Sequence, residues 1–283
     1  MQLCDQWPDK RLAKRSFEQA AAAYDQAAVL QQEVAKRLLQ RLDLMKIEPQ
    51  RVLDLGCGTG QALPGLMTRY RRAEVVALDI ALPMLTQARR RGRWLRKPRC
   101  VCADAERLPF ADASFDLVFS NLMLQWCVDI EATFRELQRV LRPGGLLLFT
   151  SFGPDTLHEL RSSWASVDGY SHVNAFLDMH DVGDALVRTR FSDPVMDVDR
   201  LTVTYRDAWQ LMRELKQIGA HNVTAGRPRG LTGKSHIQRL VQAYEGFRRE
   251  GVLPASYEIV NGHAWSTQAC DTVSIPVDQL RRM

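Results

Sequence analysis

The sequence predicts an α/β protein: a sheet of parallel strands with helices on both faces, capped by a helical lid from the N-terminus and later insertions. Three observations carry this. Short, strongly apolar segments alternate with helical stretches between residues 51 and 152. The first segment runs directly into a glycine-rich loop, "VLDLGCGTG" at 52–60. Beyond Phe152 the alternation loosens, and helices with polar faces take over. Strands without polar alternation are buried on both faces, so helices must lie on both sides of the sheet.

Taken in order, residues 16–45 are expected to be helical, because Phe17, Ala20, Tyr24, Ala28, Val34, Leu38 and Leu42 keep near-helical spacing, and Pro49 closes the segment. "RVLDLG" is a buried strand, and "QALPGLMTRY" a helix that tolerates Pro64 in its first turn. "EVVALDI", "RCVCADA" and "FDLVFSN" are the next strands, with helical "LPMLTQARRR" after the first of them and "IEATFRELQRVL" after the last. "RPGG" is expected to be a turn before the strand "LLLFTSF". Later come the helices "DTLHELRSSWASV" and "MHDVGDALVRT", the alternating strand "VMDVDRLTVTY", two lid helices around "GRPRGLTGK", and a final strand "SYEIVNGHAWS". The expected organisation is a helical cap over 1–48, a ligand-binding core over 49–152, an insertion over 153–177, a core helix and strand over 178–205, a lid insertion over 206–251, and a last core strand with a tail over 252–283.

Length and composition bound the function. A chain of 283 residues, 46% hydrophobic and 25% charged, buries a sizeable core and reads as a soluble enzyme. No apolar run approaches the roughly 18 residues of a membrane span, and the start does not resemble a signal peptide, so a cytoplasmic protein without membrane contact is expected. The cysteines are scattered, with only a C-x-C at Cys100 and Cys102. They are expected to be small thiols in a reducing compartment, and no metal is expected. The net charge of +5 is concentrated in "RRRGRWLRKPR", Arg89 to Arg99, which suits an acidic partner such as nucleic acid or an acidic carrier protein. No aromatic-interleaved basic stretch or RNA module accompanies it, so nucleic acid is not expected.

The glycine loop asks for a ligand that approaches the backbone closely. The dinucleotide fingerprint G-x-G-x-x-G would place glycine at 61, where this chain has Gln61; the third glycine, Gly60, comes one place early. A cofactor without a phosphate instead needs acids for its hydroxyls and for any positive charge. Asp54 precedes the loop, Asp79 ends the second strand where one carboxylate can grip two ribose hydroxyls, and Asp104 follows the third strand. Each alone is an ordinary cap or turn residue; together with G-x-G-x-G they are a constellation.

"VLDLGCGTG", "ALDI", "ADAERLPFADASFDLVFSNLMLQW" and "LRPGG", in this order, resemble the class I methyltransferases that use S-adenosylmethionine. The resemblance implies a Rossmann-like sheet. It implies that the loop with Asp54, Gly56, Cys57, Gly58 and Gly60 holds the methionine part, and that Asp79 and Ile80 hold the ribose. Asp104 and Ala105 would hold the adenine, Asn121 and Leu122 would lie near the sulfonium, and Tyr24 would close over the cofactor.

A second resemblance spans nearly the whole chain. "FEQAAAAYDQAAVLQQEVAKRLL", "FGPDTLHELRSSW", "DMHDVGDALV", "LTVTYRD", "LKQIGAHNVTAGRPRGLTGK" and "LPASYEIVNGHAW" together resemble the malonyl-acyl-carrier-protein O-methyltransferases of biotin synthesis. It implies methylation of the free carboxylate of malonyl-acyl-carrier protein or malonyl-CoA, with S-adenosylhomocysteine as by-product. The basic run Arg89 to Arg99 would then steer an acidic carrier. The malonyl carboxylate needs a cationic or hydrogen-bonding clamp. Candidates are Arg206, Arg227, Arg229, Lys234, His180 and His221, with no one of them singled out. Other acceptors of the same fold, such as another small carboxylate, a quinone or RNA, remain open. So do a non-transferase assembly role and, last, a dehydrogenase.

Overall fold

The structure, a computed structural model, describes residues 8–92, 96–220, 222–224 and 233–267. Its strands are β1 (Arg51–Leu55), β2 (Glu74–Asp79), β3 (Arg99–Cys102), β4 (Phe115–Ser120), β5 (Leu141–Phe152), β6 (Phe191–Tyr205) and β7 (Leu253–Ser266). They form one sheet in the order β3-β2-β1-β4-β5-β7-β6. The order reverses between β1 and β4. Their outgoing loops therefore diverge and leave a crevice at the carboxyl edge, where open α/β sheets bind ligands.

Two apolar layers fix the sheet. On one face Leu53, Leu78, Val118 and Leu147 pack with Phe134 and Leu137 of α6 (Ile130–Val140) and Leu186 of α8 (Met179–Arg188). On the other, Val52, Ala77, Phe119 and Leu148 meet Leu38 of α3 (Val29–Arg41), Leu66 of α4 (Leu63–Arg69) and Ala88, the last residue of α5 (Leu82–Ala88). Strands covered twice have no solvent face, which explains their unbroken apolar character.

Three expectations are corrected. The single helix over 16–45 is three: α1 (Lys10–Ala20), α2 (Tyr24–Ala27) and α3. Asp9 starts α1 by accepting from the backbone N–H groups of Arg11 and Leu12 at 2.9 and 3.2 Å. Ala28, at φ −83° and ψ 44°, is non-helical and separates α2 from α3. Alanine spacing could not reveal these breaks, because the apolar stripe continues across them. Second, "RPGG" lies inside β5. The register against β4 shifts between Phe115 and Leu117, and Gly144 has φ +75°, so the segment is a bulge and not a separate turn. Third, the sheet is mixed, because β7 runs antiparallel to both β5 and β6.

The last two strands do more than close the sheet. β7 pairs with β5 only through Ile259–Trp265, while its first half pairs with β6 alone, from Arg200↔Glu258 to Tyr205↔Leu253. This overhanging ribbon is the floor of a further core. Trp164 near the end of α7 (His158–Ala165), Leu211 of α9 (Ala208–Gln217) and Leu240 and Tyr244 of α10 (Lys234–Glu245) pack there on Tyr205, Leu253 and Tyr257. Glu159, buried, accepts from the Ser256 N–H and Oγ at 3.0 and 2.6 Å and pins α7 to the ribbon. Among the described residues no helix is long and apolar enough to cross a membrane.

Candidate active site

The crevice is a deep cleft between the carboxyl edge of the sheet and the N-terminal helices. Tyr24, Gly56, Gly58, Asp79, Ile80, Asp104, Ala105, Asn121 and Leu122 all line it. Asp54 and Cys57 line an inner extension of the same region, beside Gly56 and Gly58. Gly60 does not line it. Its φ is +79°, and a Cβ there would stand 2.9 Å from the Ala88 backbone, so this glycine serves close packing of the loop on α5 rather than contact with a ligand. A Cβ on Gly58, by contrast, would meet no protein atom within 4 Å. The space in front of Gly58 opens into the cleft.

Two buried carboxylates face the glycine loop. Asp79 Oδ2 accepts from the Gly58 N–H at 2.9 Å and Oδ1 from the Ala81 N–H at 2.8 Å, which fixes the loop against the end of β2. Burial still pushes its pKa up. Asp54 is 2% exposed, and no hydrogen bond reaches its buried Oδ2. Burial first, and then the charge of Asp79, raise its pKa to about 8. A buried acid with an orphaned oxygen calls for a cation or donor from a ligand. The amino group of an amino-acid-bearing cofactor such as S-adenosylmethionine supplies one. The residues present therefore fit that cofactor.

The loop after β4 forms the opposite wall. Thr150 Oγ1 donates to Asn121 Oδ1 at 3.0 Å, and the Leu122 N–H donates back to Thr150 Oγ1 at 2.9 Å. Asn121 Nδ2 also donates to the Gln31 carbonyl at 3.1 Å, tying this loop to α3. Leu122 holds φ +50°, a conformation that costs about 1–2 kcal/mol for a residue with a Cβ. The strain is held by these bonds and turns the loop into the cleft.

The N-terminal helices close the top. Asp25 accepts from Thr59 Oγ1 at 2.5 Å, from Gln61 Nε2 at 3.0 Å and from the Arg91 guanidinium, so α2 is bolted to the glycine loop. The break between α1 and α2 is what delivers Tyr24 and Asp25 to this position. Burial, followed by the charges of Asp79 and Asp25, raises the Tyr24 pKa, so its hydroxyl stays neutral. At the far end Lys10 Nζ donates to both oxygens of Asp104, at 2.9 and 2.8 Å, and lies 2.6 Å from Glu106. Phe17 meets Trp126 edge-on at 5.0 Å.

Sequence reasoning missed several wall residues. Lys10, Ala13, Lys14 and Phe17 line the cleft from one face of α1, and their i, i+3, i+4, i+7 spacing was the available signal. Gln31, Gln125, Trp126, Phe152 and Ile218 also line it and carried no local signal. Three proposed clamp residues are elsewhere. His180 is exposed in the first turn of α8, where its N–H meets the capping Asp178 at 2.8 Å. Arg206 is exposed before α9, and neither residue lines the cleft. Lys234, exposed at the start of α10, is also absent from its walls. Arg227, Arg229 and His221 lie outside the described residues.

The basic run is also not one free strip. Arg91 binds Asp25 and the Thr59 carbonyl. Arg96 donates to the carbonyls of Met67, Tyr70 and Ala73 at 2.6, 2.6 and 2.7 Å, satisfying groups left open at the end of α4. Arg99 pairs with Glu74 at 2.7 Å. Arg93 lies outside the described residues, and Arg89, Arg90 and Lys97 remain exposed. Among the described residues no group of three or more His, Cys, Asp or Glu is placed to hold a metal.

Fold and cleft together define an S-adenosylmethionine-dependent methyltransferase, and residues 53–149 match the family described as "Methyltransferase domain". The fold is shared with the YcgJ protein of Bacillus subtilis (TM-score 0.59, 15% identity, 82% of this chain and 98% of that one). It is shared also with the [4+2]-cyclase SpnF (TM-score 0.51, 19% identity, 84% and 82% covered). Curated relatives are much closer in sequence. The malonyl-[acyl-carrier protein] O-methyltransferase of Halorhodospira halophila is 50% identical over 95% of this chain and 94% of its own. That of Methylovorus sp. is 52% identical over 92% and 90%. The chain belongs to the malonyl-[acyl-carrier protein] O-methyltransferase family.

Proposed function

We infer that the protein transfers the methyl group of S-adenosylmethionine to the free carboxylate of a malonyl thioester, giving the malonyl methyl ester and S-adenosylhomocysteine. The carrying observation is 50% identity, over 95% of the chain, to a relative named for this reaction. The ester hides a charge, so the thioester can enter chain elongation as a primer toward the pimeloyl chain of biotin. Malonyl-acyl-carrier protein is the expected acceptor and malonyl-CoA an alternative one, in the cytoplasm.

When bound, S-adenosylmethionine supplies an electrophilic methyl on a cationic sulfur; transfer forms a C–O bond, breaks the C–S bond and leaves a neutral thioether. The acceptor carboxylate is already ionised near neutral pH, since free carboxyls titrate near pH 4, so no general base is required. The protein's task is to position the two partners and exclude water. Phe17, Leu122, Met123, Trp126 and Phe152 make the apolar wall that does the excluding. Asp54 and Asp79 hold the cationic cofactor, and Tyr24 covers it. Arg206 and His180 do not reach the cleft. The carboxylate is received instead at Gln31, which lines both the cleft and its inner extension.

Carrier steering rests on what the basic run leaves exposed. Reversing Arg89 and Arg90 should reduce the salt dependence of turnover with malonyl-acyl-carrier protein; unchanged dependence removes the docking role. The reaction is tested by intact mass. Purified protein with S-adenosylmethionine and either thioester should add one methyl to the malonyl group, and Gln31→Leu should raise KM more than it lowers kcat. No methyl on either thioester, with cofactor demonstrably bound, rejects the reading.

A further inference from the structure

A second cavity opens beside the cleft, between α7 and the loop over 168–176. Arg161, Trp164, Asp168, Tyr170, His172 and Phe176 stand in its walls. One aromatic pair separates the two spaces: Phe152, in the cleft wall, packs on Phe176 with ring centroids 5.4 Å apart. A further small pocket adjoins both, sharing Gln125 and Cys127 with the cleft and Ala175 and Phe176 with the cavity.

The polar groups of this cavity are not equivalent. Asp168 is satisfied locally. Its carboxylate lies 2.9 and 3.1 Å from His172 Nε2 and accepts from the Tyr170 N–H at 3.0 Å. The His172 ring in turn stacks on Trp164 at 3.6 Å and 6°. Arg161 differs. Its Nη1 donates to the Pro154 carbonyl at 2.7 Å and its Nη2 to the Thr156 carbonyl at 3.1 Å. These bonds aim the guanidinium but give it no counter-charge, and three of its five N–H groups stay unused. Among the described residues it forms no ion pair. Asp155, whose charge acts on it, is 3.5 Å from Arg200 instead. Burial lowers the pKa of Arg161 from its ordinary value, as expected for a half-buried cation short of an anion.

A planar, fixed, uncompensated guanidinium suits a phosphate. The thioesters of an acyl-carrier protein and of coenzyme A share one such group, the phosphate of the phosphopantetheine arm. We propose that this cavity receives that arm, with Arg161 holding its phosphate and the Phe152–Phe176 pair marking where the thioester passes into the cleft. The proposal rests on the malonyl-thioester reading above. The aromatic walls at Trp164, Tyr170 and Phe176 accommodate the flexible chain between phosphate and sulfur.

The test compares two thioesters that differ only by the phosphate, malonyl-phosphopantetheine and malonyl-pantetheine, on the wild type, Arg161→Gln and Arg161→Lys. The wild type should prefer the phosphorylated thioester in kcat/KM by about tenfold or more, as for a charge-assisted pair. Arg161→Gln should bring the ratio close to one, and Arg161→Lys should restore part of it. Malonyl-CoA and malonyl-acyl-carrier protein run in parallel. Loss with both fits the shared arm, and loss with one alone assigns the cavity to that source. A wild-type ratio near one, or equal slowing of both small thioesters by Arg161→Gln, overturns the proposal and leaves Arg161 as a brace for two carbonyls. Equilibrium binding of phosphopantetheine against pantetheine reads the cavity without turnover. Failure of the methylation reading is distinct, because no thioester then gains a methyl even from the wild type.

Discussion

The two ends of the binding region are built on different plans. At the proposed cofactor end the polar groups Asp54, Asp79, Asp104 and Asn121 lie at or just past the carboxyl ends of four neighbouring parallel strands, and backbone N–H groups hold Asp79 and Asp104 while Thr150 holds Asn121. At the acceptor end the walls come from distant parts of the chain: α1, Gln31, Phe152, the 168–176 loop and Ile218. The first plan fixes a ligand's headgroup through backbone geometry. The second shapes a space by side-chain packing on the β6–β7 ribbon, and a new acceptor can be accommodated there without disturbing the sheet.

The largest expected effect falls on the first plan. A Cβ at Gly56 would lie 2.1 Å from Met123 Cγ and 2.5 Å from Met123 Cβ, at a φ of +68°. Gly56→Val should therefore cost about 2–5 kcal/mol from backbone strain and overpacking together, and should weaken S-adenosylhomocysteine binding at least about 100-fold. Gly251, in the turn before β7, has φ +81° but nothing within 4 Å of its Cβ position. Gly251→Ala should cost only about 1 kcal/mol and leave cofactor affinity alone. Calorimetric binding and thermal melts on both variants check this; equal losses of affinity would erase the distinction between the two plans.

What could be read from sequence follows the same division. Asp79 and Asp104 were legible because a parallel strand delivers its C-terminal residue to the crevice, so position in the chain is position in the site. Gly58 and Gly60 look alike in sequence, while only Gly58 faces open space and Gly60 packs on Ala88. The clamp candidates were chosen for charge, yet His180 begins a helix, and Arg206 and Lys234 face solvent. Gln31 and Arg161 reach their places through tertiary packing, and no local pattern encodes that. The antiparallel direction of β7 was hidden for a related reason: a doubly covered strand has the same apolar pattern in either direction.

An intermediate effect should appear in pH dependence. The folded-state pKa of Asp54, about 8, lies above the ordinary carboxylate value near 4. The folded protein therefore holds a proton that the unfolded chain releases. The associated stability is complete below about pH 4 and is lost as pH rises through 8. Ligand-free stability should fall from pH 5 to 8, with a slope of at most about 1.4 kcal/mol per unit from this group. Affinity for the cationic cofactor should rise over the same window, because its amino group favours the charged carboxylate. Asp54→Asn should flatten both trends, apart from the part owed to Asp79, which burial also raises. Melting and binding titrations across this range check the pair of slopes; an unchanged affinity slope in the variant would remove Asp54 from the cofactor site.

The smallest effect belongs to the contact that joins the two plans. Lys10, from the packed lid, sits on Asp104, the acid implied for the adenine. Its side chain is 24% exposed and that of Asp104 37%, so solvent screens the pair, and pairs of this kind contribute about 0–1 kcal/mol. In the proposed site the adenine amino group would compete with the lysine for the same oxygens. Lys10→Met keeps the apolar stem that lines the cleft and removes the competitor, so S-adenosylhomocysteine should bind up to about fivefold more tightly. Raising the salt concentration should narrow the gap between variant and wild type, because it weakens the wild-type pair. Weaker binding by Lys10→Met would reverse the assignment: Lys10 would then be part of the cofactor's own shell, and the cofactor end would depend on the lid as much as on the sheet.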